Sequence, residues 1–110
     1  MSLAREELAD RVRALLPPHA LVREKRMFGG IAFMLNGNML VCPLKDGTLM
    51  VRVGKDGMAE ALERGAAPMT MGDKTMAGFA IVTGDLVEDD DGLAAWIERA
   101  RRFVDTLPPQ

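Results

Sequence analysis

The fold of this chain depends on the stretch Arg26-Met27-Phe28-Gly29-Gly30-Ile31-Ala32-Phe33-Met34-Leu35, which is followed by Asn36-Gly37. The stretch joins a basic segment to a double glycine and then to the most apolar run in the sequence. Asn36-Gly37 is typical of a two-residue hairpin turn, because both turn positions need a positive φ that asparagine and glycine tolerate best. The sequence therefore predicts a hairpin over residues 27–42 that is entered through the glycine pair.

Composition limits the protein to one domain, which we expect to span residues 1–110. Hydrophobic residues make up 48% of the chain and charged residues 27%, a balance that argues against disorder. The formal net charge of −2 gives no support to a strongly basic nucleic-acid surface. No apolar run approaches the roughly 20 residues that cross a bilayer, and the charged N-terminus lacks the apolar core of a signal peptide. We therefore expect a cytoplasmic protein that does not contact a membrane.

Alternating and short apolar runs bounded by glycine, proline or turn residues predict five strands. The predicted strands cover residues 30–35, 38–42, 48–53, 68–71 and 78–83. Residues 19–25 are interpreted as a connector between the first helix and the first strand. Because short turns join most of these strands, the sheet is expected to be antiparallel.

Three helices are predicted, over residues 3–16, over residues 57–64 and after the acidic run at 88–91. The last is the clearest, since Leu93, Trp96 and Ile97 begin one apolar stripe at helical spacing. Carboxylates just before this helix suit its N-cap, and Asp56 is a candidate cap for the second helix. The predicted order is α-β-β-β-α-β-β-α, a two-layer α+β domain whose helices cover one face of a five-stranded antiparallel sheet.

Several of these elements resemble the TfoX N-terminal domain family (Sxy-like proteins). The run Arg26-Met27-Phe28-Gly29-Gly30 resembles the signature opening of that family. The further matching positions are Gly37 in the hairpin, Arg52 in the third strand, Gly65-Ala66-Ala67-Pro68-Met69, Met76 and Gly78 at the start of the last strand, and Trp96 with Ala100 in the final helix. The resemblance implies the fold of the family and a regulatory role, because full-length TfoX-like proteins regulate natural competence and carry a second, C-terminal domain. We expect this chain to be a stand-alone N-terminal domain.

The candidate contacts for a protein partner or an anion lie around the glycine pair and on the third strand. They are Arg26, Met27, Phe28, Gly29, Gly30 and Arg52. The glycine pair either forms a backbone nest that holds an anion or meets a need for positive φ or close approach. Arg23, Lys25 and Arg26, with Arg52 expected close by across the hairpin, form either a small basic patch or solvated charge at a sheet edge.

The sequence contains no recognisable catalytic constellation, so we expect no enzyme activity, cofactor or metal. The one histidine, His19, cannot form a histidine-based metal site alone, and the one serine, Ser2, lies at the chain end. A Cys42–His19 pair is formally open, but a cysteine in an apolar strand is usually a buried, inert thiol. The acidic run at 88–91 lacks the spaced ligands of a calcium loop.

These observations favour a non-enzymatic regulatory or protein-interaction module whose partner the sequence does not identify. The alternatives are a weak DNA-binding regulator that uses the basic connector and a small domain that binds an anion or ligand at the glycine turn. The nine methionines either fill the core or form an adaptable contact surface. Because a two-layer domain exposes one face of its sheet, a homodimer through that face or through a helix is a further alternative.

Overall fold

A computed structural model of the chain describes residues 3–16, 22–27, 29–44 and 46–110. Its strands are β1 (Val22–Met27), β2 (Gly30–Leu35), β3 (Asn38–Pro43), β4 (Leu49–Arg52), β5 (Ala67–Met71) and β6 (Lys74–Val82). Its helices are α1 (Leu3–Leu15), α2 (Met58–Glu63) and α3 (Asp90–Val104), with short 3-10 helices at Lys55–Gly57 and Gly84–Leu86. The strands form one antiparallel sheet in the order β1-β2-β3-β4-β6-β5.

The predicted α+β class, with one antiparallel sheet, is confirmed, but the predicted number and order of strands are wrong. The sheet has six strands instead of five, because residues 22–27, most of them assigned to a connector, form the edge strand β1. This strand pairs with β2 along its whole length, from Val22 opposite Leu35 to Met27 opposite Gly30. Its central residues are all charged, which hides the alternation of a strand but suits an edge that must resist unwanted pairing.

Two further boundaries differ from the prediction. Strand β6 begins at Lys74, four positions before the predicted start at Gly78, and its first half pairs only with β5. The β5–β6 hairpin therefore extends beyond the end of β4. Asp56 does not cap α2, since it lies inside the 3-10 helix and no side chain bonds the first turn of α2.

The main core lies between the helices and one face of the sheet. Helices α1 and α3 pack on β3, with α1 also on β2 and α3 also on β4, while α2 packs on β5 and β6. The large side chains buried there include Leu8, Val12, Phe33, Leu40, Leu49, Val51, Val82, Leu93, Trp96 and Ile97. The predicted cap of α3 is confirmed, because the Asp89 carboxylate accepts a hydrogen bond of 2.7 Å from the backbone N–H of Gly92.

The β2–β3 hairpin turn is also as predicted, and the segment after α3 packs against it. Asn36 and Gly37 both have positive φ, at 54° and 83°. The backbone N–H of Gln110 donates to the Asn36 carbonyl at 2.8 Å, and the buried Asn38 amide donates to the Pro108 carbonyl at 3.0 Å. The β2–β3 turn is thus held by residues 70 and 74 positions away in the sequence.

Candidate functional site

The face of the sheet opposite the main core carries a second apolar cluster, and none of its members comes from a described helix. We call this surface the helix-free face. Its buried members are Ala32, Met39, Cys42 and Met50, and its half-buried members are Met27, Met34, Leu44, Met69, Phe79 and Ile81. The helix-free face is therefore apolar in a sheet whose other face already holds the core.

Five of the ten residues in this cluster are methionines. Ala32, Cys42 and Met50 have no exposed surface, because the larger side chains around them pack over them. Methionine is unbranched and flexible, so it can close over small neighbours and can also rearrange against an incoming surface. The helix-free face is a thin, deformable apolar layer.

The charged residues of the described strands that lie on the helix-free face are all positive. Arg23 pairs with Met34, Lys25 with Ala32 and Arg52 with Phe79, and directly paired residues share a face. The only acidic residue in the described strands is Glu24, which points the other way, towards α1. Within the described part of the chain, Arg23 and Lys25 form no ion pair or hydrogen bond through their side chains. A basic rim therefore borders the apolar layer along β1.

The predicted basic patch does not exist as one surface. Residues alternate between faces along a strand, so Arg26, which pairs with Ile31, lies on the core side, whereas Arg23 and Lys25 lie on the helix-free face. Arg52 is not close to them across the hairpin, because β2 and β3 separate β4 from β1. The expectation of a joint Arg26–Arg52 contact is wrong for this reason.

Backbone conformation requires a glycine at position 29, and close packing requires one at position 30. Gly29 has φ of 72°, and a Cβ on Gly30 would lie 2.2 Å from the Pro43 carbonyl oxygen and 2.9 Å from the Cys42 sulfur. The Gly29 carbonyl accepts a hydrogen bond of 3.1 Å from the Arg5 guanidinium. Met27 and Gly30 thus belong to the packing of β1, β2 and β3, whereas Phe28 lies outside the described residues.

An ion pair attaches the edge strand to the first helix. The Arg13 guanidinium donates two hydrogen bonds to the Glu24 carboxylate, at 2.6 and 2.8 Å. These bonds hold the pKa of Glu24 below its usual range. Both side chains keep about two fifths of their surface exposed, 44% for Arg13 and 37% for Glu24, so the pair stabilises the domain only modestly.

Cys42 is buried in the helix-free face, and burial raises the pKa of its thiol to about 11. The protonated thiol is a poor nucleophile. His19 and Ser2 lie outside the described residues. Across the described ranges, no group of three or more His, Cys, Asp or Glu side chains is arranged to hold a metal ion.

Arg52 is the last residue of β4, three strands away from β1, and it lies beside a cavity of about 430 Å³. We call it the Arg52 cavity, and its lining residues are Arg52, Gly54, Lys55, Asp56, Ala77, Gly78, Phe79 and Phe103. Sequence reasoning identified Arg52 but missed the two phenylalanines, which come from β6 and α3. The pairing of β4 with β6, strands that are not neighbours in the sequence, brings Phe79 to Arg52, and the packing of α3 on β4 brings Phe103.

Comparison with known proteins agrees with the resemblance seen in the sequence. The TfoX N-terminal domain family matches residues 14–104 of the 110-residue chain. A search of curated proteins gave no significant match. None of the helices in the described ranges has the length and apolar character needed to cross a membrane.

Proposed function

Since this chain belongs to the TfoX N-terminal domain family, we propose that it is a non-enzymatic regulatory module that binds a protein partner in the cytoplasm. The regulatory part of the proposal rests on the resemblance, because full-length TfoX-like proteins regulate natural competence. The binding part rests on one observation: the helix-free face is apolar, rich in methionine and bordered along β1 by the positive charges of Arg23 and Lys25.

The chemistry of this face indicates the kind of partner it would bind. Flexible methionines suit an apolar segment, because they can repack around side chains of different shapes. Arg23 and Lys25 on the rim favour acidic residues beside that apolar segment, since complementary charge steers encounter and fixes orientation. The proposed partner is therefore a protein segment that combines apolar and acidic side chains.

Direct nucleic-acid binding is not part of the proposal. Binding driven by counterion release needs clustered Lys and Arg, and only Arg23 and Lys25 of the basic segment share a face. The formal net charge of −2 also opposes it.

Site-specific photocrosslinking in the cells of origin tests the proposal. A benzophenone amino acid replaces Met34 on the helix-free face or, as the control, the exposed Ala14 on α1. We expect a crosslinked product of defined mass from position 34 and none from position 14. The double charge reversal Arg23→Glu with Lys25→Glu should reduce the yield at position 34 several-fold, because rim charges act mainly on association.

Two results would contradict the proposal, namely no product at position 34, or the same product at position 14. A product of twice the mass of the chain would identify the partner as a second copy of the protein. Sedimentation equilibrium of the purified protein, with and without the two charge reversals, would then measure the strength of that dimer.

A further inference from the structure

We infer that the Arg52 cavity binds a small organic anion, with the Arg52 guanidinium as its anchor. This site lies three strands away from the basic rim of β1, and the inference does not depend on the proposed partner. It is a different site from the anion site that the sequence suggested at the glycine turn.

Two aromatic rings fix the position of the Arg52 guanidinium. Its central carbon lies 5.5 Å from the ring centre of Phe79 and 5.7 Å from that of Phe103, within the range of cation–π attraction. The rings contact the guanidinium without accepting conventional hydrogen bonds from it. No carboxylate or carbonyl group in the described ranges accepts a hydrogen bond from Arg52 or pairs with it. Arg52 is half-buried, and its guanidinium is positioned by the two rings with its N–H donors available to a ligand.

Two glycines shape the wall of the cavity. Gly54 and Gly78 have φ of 79° and 83°, and a Cβ on Gly54 would lie 2.4 Å from the Phe103 ring. Because Gly54 has no side chain, the Phe103 ring of α3 can reach the end of β4. The backbone N–H groups of Val53 and Gly54 both donate to the Gly78 carbonyl, at 2.9 and 3.0 Å, which holds this wall in place.

The charged groups around the cavity indicate the class of ligand. Lys55 and Asp56 also line it, so the cavity holds two positive charges and one negative charge. Guanidinium groups bind carboxylate and phosphate through paired hydrogen bonds. The volume of about 430 Å³ is within the usual range of small-molecule sites, and the rings of Phe79 and Phe103 offer apolar surface. The ligand class is a carboxylate or phosphate group attached to an aromatic or similarly flat apolar body.

A titration followed by two-dimensional ¹H–¹⁵N NMR tests the inference directly. The probes are phenyl phosphate, benzoate, inorganic phosphate and, as the uncharged control, benzyl alcohol. We expect phenyl phosphate or benzoate to shift the amide signals of Gly54, Lys55 and Phe79, and benzyl alcohol to leave them unchanged. Whichever of phenyl phosphate and benzoate binds more tightly identifies the preferred anionic group. The affinity of phenyl phosphate relative to inorganic phosphate measures how much the aromatic ring contributes to binding.

Variants decide whether Arg52 is the anchor. Arg52→Met keeps an unbranched apolar stem but removes the charge, and it should weaken binding at least about tenfold, the loss expected for one charge-assisted hydrogen bond. Arg23→Met removes the same charge from the same face far from the cavity, so binding should be unchanged. Lys55→Met, an exposed change that also removes a positive charge from the cavity, should weaken binding measurably but less than Arg52→Met.

The inference fails if neither aromatic anion shifts those amides at 10 mM, a concentration chosen to be about tenfold above a weak, millimolar dissociation constant. It fails equally if Arg52→Met and Arg23→Met bind the probe alike, because Arg52 would then be only a packing residue. If Arg52→Met does not fold, Lys55→Met decides the matter: unchanged binding in that variant contradicts the inference.

Discussion

A single methyl group at Gly30 is expected to destabilise the domain strongly. The Cβ of Gly30→Ala would lie 2.2 Å from the carbonyl oxygen of Pro43, 2.9 Å from the Cys42 sulfur and 3.1 Å from a Leu44 methyl. Real Cβ atoms essentially never approach another heavy atom closer than 3.0 Å, so something must move. The nearest obstacle is backbone of β3, and it cannot avoid the methyl by a side-chain rotation.

The expected loss follows from that geometry. Overpacking of a buried site costs typically about 1–3 kcal/mol, and the upper end applies here because relief requires a strand to shift. With a urea m-value of about 1–3 kcal/mol/M for a small domain, a loss of about 3 kcal/mol lowers the unfolding midpoint by about 1–3 M. Equilibrium unfolding in urea, followed by the fluorescence of Trp96, measures this shift.

Gly29→Ala is the matched control, since the same methyl is added one residue earlier. Among the described residues other than its chain neighbours, none has an atom within 4 Å of a Cβ at Gly29, but the φ of 72° costs an alanine about 1–2 kcal/mol. Gly30→Ala must therefore lose clearly more stability than Gly29→Ala. The reasoning is refuted if the two losses are equal, or if Cys42→Ala restores the stability of Gly30→Ala, because the sulfur and not the Pro43 backbone would then be the obstacle.

Two further predictions concern titratable groups. Arg13 lowers the pKa of Glu24 in the folded protein, so the stabilisation from this pair is present above the usual glutamate pKa of about 4.3 and is lost as the pH falls through the lowered value. Glu24→Gln should therefore lower the unfolding free energy by about 0.5 kcal/mol at pH 7 and by much less at pH 3. Urea unfolding at the two pH values measures both losses, and equal losses would contradict the contribution of the ion pair. Cys42, with a pKa of about 11, should react negligibly with a disulfide reagent at pH 8 in the native protein and fully in urea. Rapid labelling of the native protein would contradict this and would show that the helix-free face opens readily.

Local signals in the sequence were sufficient for much of the fold. Asn36-Gly37 placed the central hairpin correctly, because its turn chemistry is decided by two residues alone. The stripe that begins at Leu93 placed α3, and the acidic run before it supplied the cap at Asp89. Each of these features depends on residues that are close in sequence.

The errors about the sheet and about Arg52 have one physical cause: the sequence of a strand does not show which strand it pairs with. The charged run Arg23–Arg26 becomes β1 only because β2 offers it an edge, and no alternation of its own marks it as a strand. The position of Arg52 followed from the order of the strands and not from its neighbours. The family was recognisable because its glycines and turns are local features, whereas the Arg52 cavity is assembled from three distant segments.

The seam between β4 and β6 divides the sheet into two parts that form in different ways. Strands β1 to β4 follow one another as a meander, and β5 and β6 form their own hairpin, so pairing within each part needs only short loops. Pairing across the seam, from Leu49 opposite Val82 to Arg52 opposite Phe79, closes a loop of about 30 residues, the longest loop closed by any strand pair in the sheet, and so has the largest single loop-closure cost. The Arg52 cavity lies at the open end of this seam. A ligand there would contact residues on both sides of the β4–β6 pairing, and its first effect on the protein would be to slow the separation of the two parts of the sheet.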